Sequence, residues 1–292
     1  MSSSELETLG KKKKPPSLTQ IGEKVIVFDN VHKGFGSGAR RSDPLRGINL
    51  TVNRGERLVI IGPSGTGKSV TLRLMIGLID PDQGDVYVMG KNLGLISRDE
   101  LWRIRRRVSI LFQMGALFDS MTIGENVAFP IREQGETDED KIMEAVKRRL
   151  GQVGLPNAEE KMPSELSGGM QKRAALARSL AGRPEIMLYD EPTTGLDPIM
   201  ADAIADLIVE THKAMEREAT ATSIVVTHDM LVADKVADRI IMLFGGKIIA
   251  DGPPSMYKRL AEEPLGEDAT LTERMIRQFV RGEADGPIRT VT

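Results

Sequence analysis

The sequence predicts an α/β fold built on a parallel sheet, and three observations carry that prediction. Apolar runs of strand length recur between stretches of good helix formers. One of them, RLVIIG, leads directly into the glycine-rich loop GPSGTGKS at 62–69 and then into VTLRLMIGL, which reads as strand, loop and helix. Another, IMLYDE at 186–191, ends in two adjacent acids, as a buried strand does when it delivers carboxylates to the C-terminal edge of a sheet.

In chain order, residues 1–22 are rich in Ser, Lys and Pro and include KKKKPP at 11–16, so they read as a disordered basic tail. Such a run either solubilises the chain or touches anionic lipid. From Val25 the runs KVIVFDNV, INLTVN, RLVIIG and DVYVMG alternate with glycine turns, which predicts an antiparallel β-layer feeding the strand before the glycine loop. DELWRIRRR at 99–107 reads as a basic helix, followed by the strand VSILFQ. Residues from about 114 to 180 are mainly helical and charged, and predict a separate helical subdomain. Beyond Glu191 the α/β pattern returns, with a helix over 198–216, the strand SIVVTH, a helix over 230–237 and paired strands RIIMLFGG and KIIADG. The main domain is thus expected over 23–252, with a C-terminal extension over 253–292. In that extension Leu271, Met275, Ile276, Phe279 and Val280 mark the apolar face of a short helix. A helix so short needs a docking surface, on its own domain or on another subunit.

Composition removes several classes of function. The 292 residues carry 40 Lys+Arg against 42 Asp+Glu, a net charge of −2, which argues against a general nucleic-acid binder. There are no cysteines, so disulfides and thiolate metal sites are excluded. The three histidines, His32, His212 and His228, lack metal-ligand spacing, which disfavours a zinc enzyme. No apolar run reaches the roughly eighteen residues that span a bilayer, and the N-terminus lacks a secretory signal. A cytoplasmic protein is expected.

The chemistry points to a nucleoside triphosphate. Gly62, Gly65 and Gly67 free backbone N–H groups to wrap the α/β-phosphates, with Pro63, Ser64, Thr66 and Val70 completing the loop. Lys68 reaches the β/γ-phosphates and Ser69 offers a hydroxyl to Mg²⁺. A second anion device stands at LSGGM, where Ser167, Gly168 and Gly169 head a run of helix formers free of proline and β-branched residues. Each device occurs once, with no internal repeat.

Lys68 and Ser69, then Gln113 at the end of VSILFQ, then LSGGM, Asp190 and Glu191, Asp197, and His228 at the end of SIVVTH form an ordered set. In this order and spacing the chain resembles the ATPase subunit of ABC transporters over residues 25–252. The resemblance implies a P-loop NTPase fold of the ABC ATPase type: a RecA-like parallel core, an antiparallel β subdomain and a helical subdomain, here with a C-terminal helical extension. It implies ATP and Mg²⁺ as cofactors. By the same resemblance Phe35 stacks on adenine, in a place where tyrosine is commoner, and Gln113 senses γ-phosphate and Mg²⁺. Asp190 holds Mg²⁺, Glu191 is the general base, His228 contacts the γ-phosphate, and Asp197 couples two sites across a dimer. Met170 stands where glutamine is commoner, and Val70 where threonine is usual; the phosphate-facing residues are kept.

Within that family GKSVTLRLMIGL, GALFDSMTIGENVAFPIRE, LSGGMQKRAALARSLAGRP and QFVRGEADGPI look like the ATPases of Mla- and Mce-type lipid transport systems. That likeness implies a second copy of the chain, integral permease subunits and a periplasmic MCE-domain protein as partners, with no nucleic acid; some members carry a STAS-domain regulator. It places the subunit on the cytoplasmic face of a bacterial inner membrane, powering movement of phospholipids or other hydrophobic molecules. Met114, Leu117, Phe118 and Met121 form the candidate permease contact, against a reading as buried core. An importer ATPase for another cargo, such as an amino acid, would share every catalytic residue; a soluble non-transport ABC ATPase is the more distant rival.

Overall fold

The structure is a computed structural model describing residues 23–38, 41–217 and 221–288; the basic tail expected over residues 1–22 lies outside them. Among the described residues, ten strands form two sheets. They are β1 (Lys24–Phe35), β2 (Ser42–Asn53), β3 (Arg57–Ile61), β4 (Gln83–Val88), β5 (Lys91–Asn92), β6 (Val108–Leu111), β7 (Ile186–Asp190), β8 (Thr222–Val226), β9 (Arg239–Phe244) and β10 (Lys247–Gly252). The first sheet is antiparallel in the order β2-β1-β4-β5. The second runs β10-β9-β3-β8-β7-β6, parallel throughout except for the β9–β10 hairpin. The strand before the glycine loop therefore belongs to the parallel sheet and only abuts the antiparallel layer.

Burial explains why the central strands are apolar on both sides. In β7 and β8 every residue is buried. Successive residues point to opposite faces, so Leu58 and Ile60 of β3 join a core shared with Ile26, Phe28, Ile48 and Leu50 of the antiparallel layer. Val59 and Ile61 face the other way, into a core shared with the helices. Of the helices, α1 (Lys68–Met75) and α2 (Arg98–Arg105) add Leu72, Leu74, Met75 and Ile104 to the first core, whereas α3 (Ile123–Glu133), α4 (Glu139–Gln152), α5 (Gly168–Ala181), α6 (Pro198–Arg217), α7 (Met230–Val236), α8 (Pro254–Glu262) and α9 (Leu271–Arg281) add to the second. α3, α4 and α5 pack on one another, yet Ile123, Val127, Ile142 and Val146 share one continuous cluster with Val59, Met187 and Tyr189 of the sheet. The helical lobe has no core of its own.

The C-terminal extension is settled by packing in cis. Two helices form it, α8 and α9, and the first was not foreseen, because PSMYKRLAE buries only Tyr257 and Leu260. The Tyr257 hydroxyl donates to the Ile240 carbonyl at 3.0 Å, which ties α8 to β9. α9 begins with a reciprocal Thr270–Glu273 capping box and ends at Gly282 in the left-handed conformation. Met275 and Ile276 are buried, but Leu271 is 65% exposed, so the apolar face is one turn shorter than its spacing predicts. The Gln278 amide holds the segment beyond the helix, accepting from Ile288 N at 2.6 Å and donating to the Ile288 carbonyl at 3.0 Å. Ile276→Ala should destabilise the α9 dock by about 2–5 kcal/mol. Hydrogen exchange should then rise across α9 while the amides of β3, β7 and β8 stay protected; unchanged exchange in α9 would refute the dock.

Candidate functional site

The parallel sheet brings the chemistry together, because the segments that follow β3, β6, β7 and β8 emerge at one edge. The loop after β3 adopts backbone conformations that need glycine. Gly62 has φ +146° and a Cβ there would lie 2.2 Å from the Leu243 carbonyl oxygen; Gly67, φ +100°, would place one 2.7 Å from the Pro44 carbonyl oxygen. Gly67 is also the residue from which α1 starts, so the free N–H groups of the first turn face the loop.

These residues wall a cleft of about 520 Å³. Ser64, Gly65, Gly67, Lys68, Ser69 and Val70 of the loop and the first turn of α1 line it, together with Phe35, Gln113, Glu191 and His228. Ser42 and Pro44 at the start of β2 and Thr194 in the loop after β7 also line it and were missed in the sequence, since nothing local marks any of them as a pocket wall. Pro63 and Thr66 stand behind the cradle, with the Thr66 hydroxyl donating to the Pro63 carbonyl at 2.8 Å. Phe35 is half-exposed, with the Lys33 ammonium 5.5 Å from its ring centre.

The polar contacts are short and specific. Lys68 Nζ donates to the Gly62 and Pro63 carbonyls at 2.8 and 3.1 Å and lies 3.6 Å from Glu191 Oε1. Burial lowers the Lys68 pKa, with Glu191 opposing it. Ser69 Oγ donates to Asp190 Oδ1 at 2.7 Å across 121 positions of sequence. Burial raises the Asp190 pKa, the Ser69 hydrogen bond opposes this, and the neighbouring Glu191 charge adds to the rise. Glu191 Oε2 meets His228 Nδ1 at 2.6 Å and accepts from Thr194 Oγ1 at 3.3 Å. Glu191 itself lies at φ +50°, a left-handed conformation that is uncommon outside glycine.

This donor set matches a magnesium triphosphate. Gly65 sits at φ +78° with open space where a Cβ would be, so backbone can approach phosphate closely. Hard oxygens from Ser69 and Asp190 suit Mg²⁺. Among the described residues no group of three or more His, Cys, Asp or Glu side chains could hold a metal, so such an ion would take its other ligands from phosphate and water.

Other predicted residues stand outside the cleft. Ser167 caps α5, accepting from Met170 N at 3.4 Å, and Gly168 faces open space. A Cβ on Gly169 would lie 2.4 Å from Met200 Cε. Asp197 caps α6, accepting from Met200 N at 3.0 Å. None of these lines the cleft that holds Lys68. A second groove, of about 400 Å³, lies between α2, β6, α3 and α5 and is walled in part by Trp102, Arg106, Phe112, Phe129 and Arg178. Beside it Met114 is 90% exposed, while Leu117 packs partly on the core. Phe118 stacks edge-on against Phe129 with centroids 5.2 Å apart, and Arg178 covers it at 4.3 Å. The four-residue apolar surface expected here is therefore uneven. Asn126 shapes it, donating to the Phe118, Met121 and Thr122 carbonyls and accepting from Phe118 N. Among the described residues, no helix is long and apolar enough to cross a membrane.

Residues 45–194 match the family model described as ABC transporter. The chain is 41% identical over 241 residues to the intermembrane phospholipid transport system ATP-binding protein MlaF of Escherichia coli K12, covering 82% of this chain and 84% of that protein. It is 39% identical over 263 residues to the "Probable ribonucleotide transport ATP-binding protein mkl" of Mycobacterium tuberculosis H37Rv, covering 90% and 68%. A solved dimeric structure of the ATP-binding cassette MJ0796, in a post-hydrolysis state bound to ADP and Pi, superposes with a TM-score of 0.71 at 33% identity, covering 78% of this chain and 98% of that one.

Proposed function

The chain belongs to the ABC transporter family as an ATPase subunit, and we propose that it works as a pair, hydrolysing ATP to move phospholipids or other hydrophobic molecules across a bacterial cell envelope. The observation that carries the catalytic half is the convergence of Lys68, Ser69, Gln113, Glu191 and His228 on one cleft, with Asp190 bonded to Ser69 behind it. In this reading the domain runs over 23–252, with the helical subdomain over about 114–180. Phe35 stacks on adenine, and residues 62–70 cradle the phosphates with Lys68 as their cation. Ser69 and Asp190, with Gln113, hold Mg²⁺, which when bound neutralises charge building on the phosphate oxygens. Glu191 orients water and accepts its proton, and His228 steadies the γ-phosphate end.

Pairing is supported by the positions of Ser167, Gly168 and Gly169, which present free N–H groups away from their own cleft. Ile199 and Leu231, each 81% exposed, stand just beyond Asp197 and His228, as residues covered by a second copy would. Such a pair would sit on the cytoplasmic face of the inner membrane. The groove between α2 and α5 supports docking of a permease segment, and the exposed Met114 lies in sequence between its lining residues Phe112 and Gly115. A periplasmic MCE-domain protein is the expected further partner, and a STAS-domain regulator an optional one. The phospholipid reading rests on the likeness to MlaF; the ribonucleotide name of the mycobacterial relative favours the second reading, an ATPase for a polar cargo. Affinity purification from membranes separates them. Recovery of an MCE-domain protein with the permease supports lipid transport, and recovery of a soluble cargo receptor in its place refutes it.

A further inference from the structure

Lys172 has no part in the cleft, yet it joins the two halves of the phosphate machinery within one subunit. It lies in the second turn of α5, the helix that Ser167 caps. Its ammonium donates to the Pro192 carbonyl at 3.1 Å and to the Thr194 carbonyl, both in the loop that follows Glu191. The Thr194 side chain in turn donates to Glu191 Oε2 at 3.3 Å, and Thr194 N bonds the Glu191 carbonyl at 3.2 Å. A second contact joins the same two segments, since Met200 Cε lies against Gly169. The first turns of α5 and the segment from 191 to 200 are thus packed to move together.

We propose that Lys172 is a positioning residue that couples α5 to the general base, through Thr194, so that seating the α5 start on a second copy's nucleotide sets the Glu191 carboxylate in its own site. The proposal rests on the paired-ATPase reading above. Glu191 needs such support: its left-handed backbone is a conformation that a non-glycine residue keeps only where surrounding contacts over-determine it. Lys172 bonds carbonyls of the loop and adds no further ion pair to a carboxylate that already meets His228, Thr194 and Lys68. Both acceptors lie on a loop, so the helix acts as lever and the loop as the moving part. Asp197 plays no part in this route, because its carboxylate caps α6.

Steady-state hydrolysis by the purified full-length chain, with the membrane subunits it carries, tests the route. Lys172→Met keeps the length of the side chain and removes its donors. We expect kcat to fall about ten- to a hundredfold, as small misplacements of a catalytic group do. KM for ATP should stay within about twofold, since no nucleotide contact is lost. The Hill coefficient for ATP should drop towards one, and Lys172→Arg should restore most of kcat. Thr194→Val should reproduce the loss, and the double variant should lose no more than either single one. Unchanged kcat and cooperativity, a rise in KM alone, or additive losses in the double variant would each overturn the proposal. Should Lys172→Met fail to fold, Thr194→Val decides by the same kcat and Hill readouts. A wild-type assembly without ATP hydrolysis would instead overturn the paired-ATPase reading on which this rests.

Discussion

Glu191→Gln is expected to bind ATP and hold the closed pair while hydrolysing about 10²–10⁴-fold more slowly than the wild-type chain, the range that a positioned general base contributes. Glutamine keeps the length and the carbonyl oxygen that accepts from Thr194, so the loop geometry survives. What it loses is basicity. The Glu191 side chain is only 12% exposed, 2.6 Å from His228 Nδ1 and 3.6 Å from Lys68 Nζ, whereas the neighbouring Asp190 is bonded to Ser69. The measurement is single-turnover hydrolysis together with the mass of the ATP-bound species. Near-normal turnover would remove Glu191 from the role of base and move attention to His228.

Gly168→Asp should lower hydrolysis at least about a hundredfold while leaving nucleotide binding to the monomer intact. The structure makes this variant a clean one. A Cβ at Gly168 meets nothing within 4 Å, its backbone needs no left-handed conformation, and the residue lies outside the cleft. The new carboxylate therefore disturbs neither the fold nor its own phosphate cradle. It would face the phosphates of a second copy, where like charges repel. In a Glu191→Gln background, light scattering should find ATP-dependent pairs without the aspartate and monomers with it. Pair formation unchanged by the aspartate would refute the assignment of Ser167, Gly168 and Gly169 to a partner's nucleotide.

Much of the fold could be read because its signals are local. Strand runs such as IMLYDE and SIVVTH carry unbroken apolar stretches, IMLY and IVV, in place of an alternating pattern, which only a sheet covered on both faces requires. Where packing is uneven, local pattern misleads. Leu271 has helical spacing with Ile276 but faces solvent, and α8 was overlooked because two buried residues make a weak stripe. The helical segment from 114 to 180 reads as a unit in composition, yet its apolar residues run into the sheet's core. Ser42, Pro44 and Thr194 were invisible as cleft residues since only their neighbours identify them.

The sequence by itself determined the chemistry of the phosphate loop, because the left-handed glycines, the lysine and the hydroxyl that a phosphate needs are consecutive, and their geometry follows from backbone preferences alone. It also shows a second glycine-led helix start at Ser167, Gly168 and Gly169, which occurs once. Only the tertiary structure decided which residues share a site. Ser69 and Asp190 meet across 121 positions because β3 and β7 flank β8 in the sheet, and Glu191 reaches His228 because β7 and β8 are neighbours. The same packing set α9 on its own domain and laid Lys172 over the loop beyond Glu191. Contacts between distant segments depend on strand order and helix packing, which arise from the whole core and from no single stretch of it.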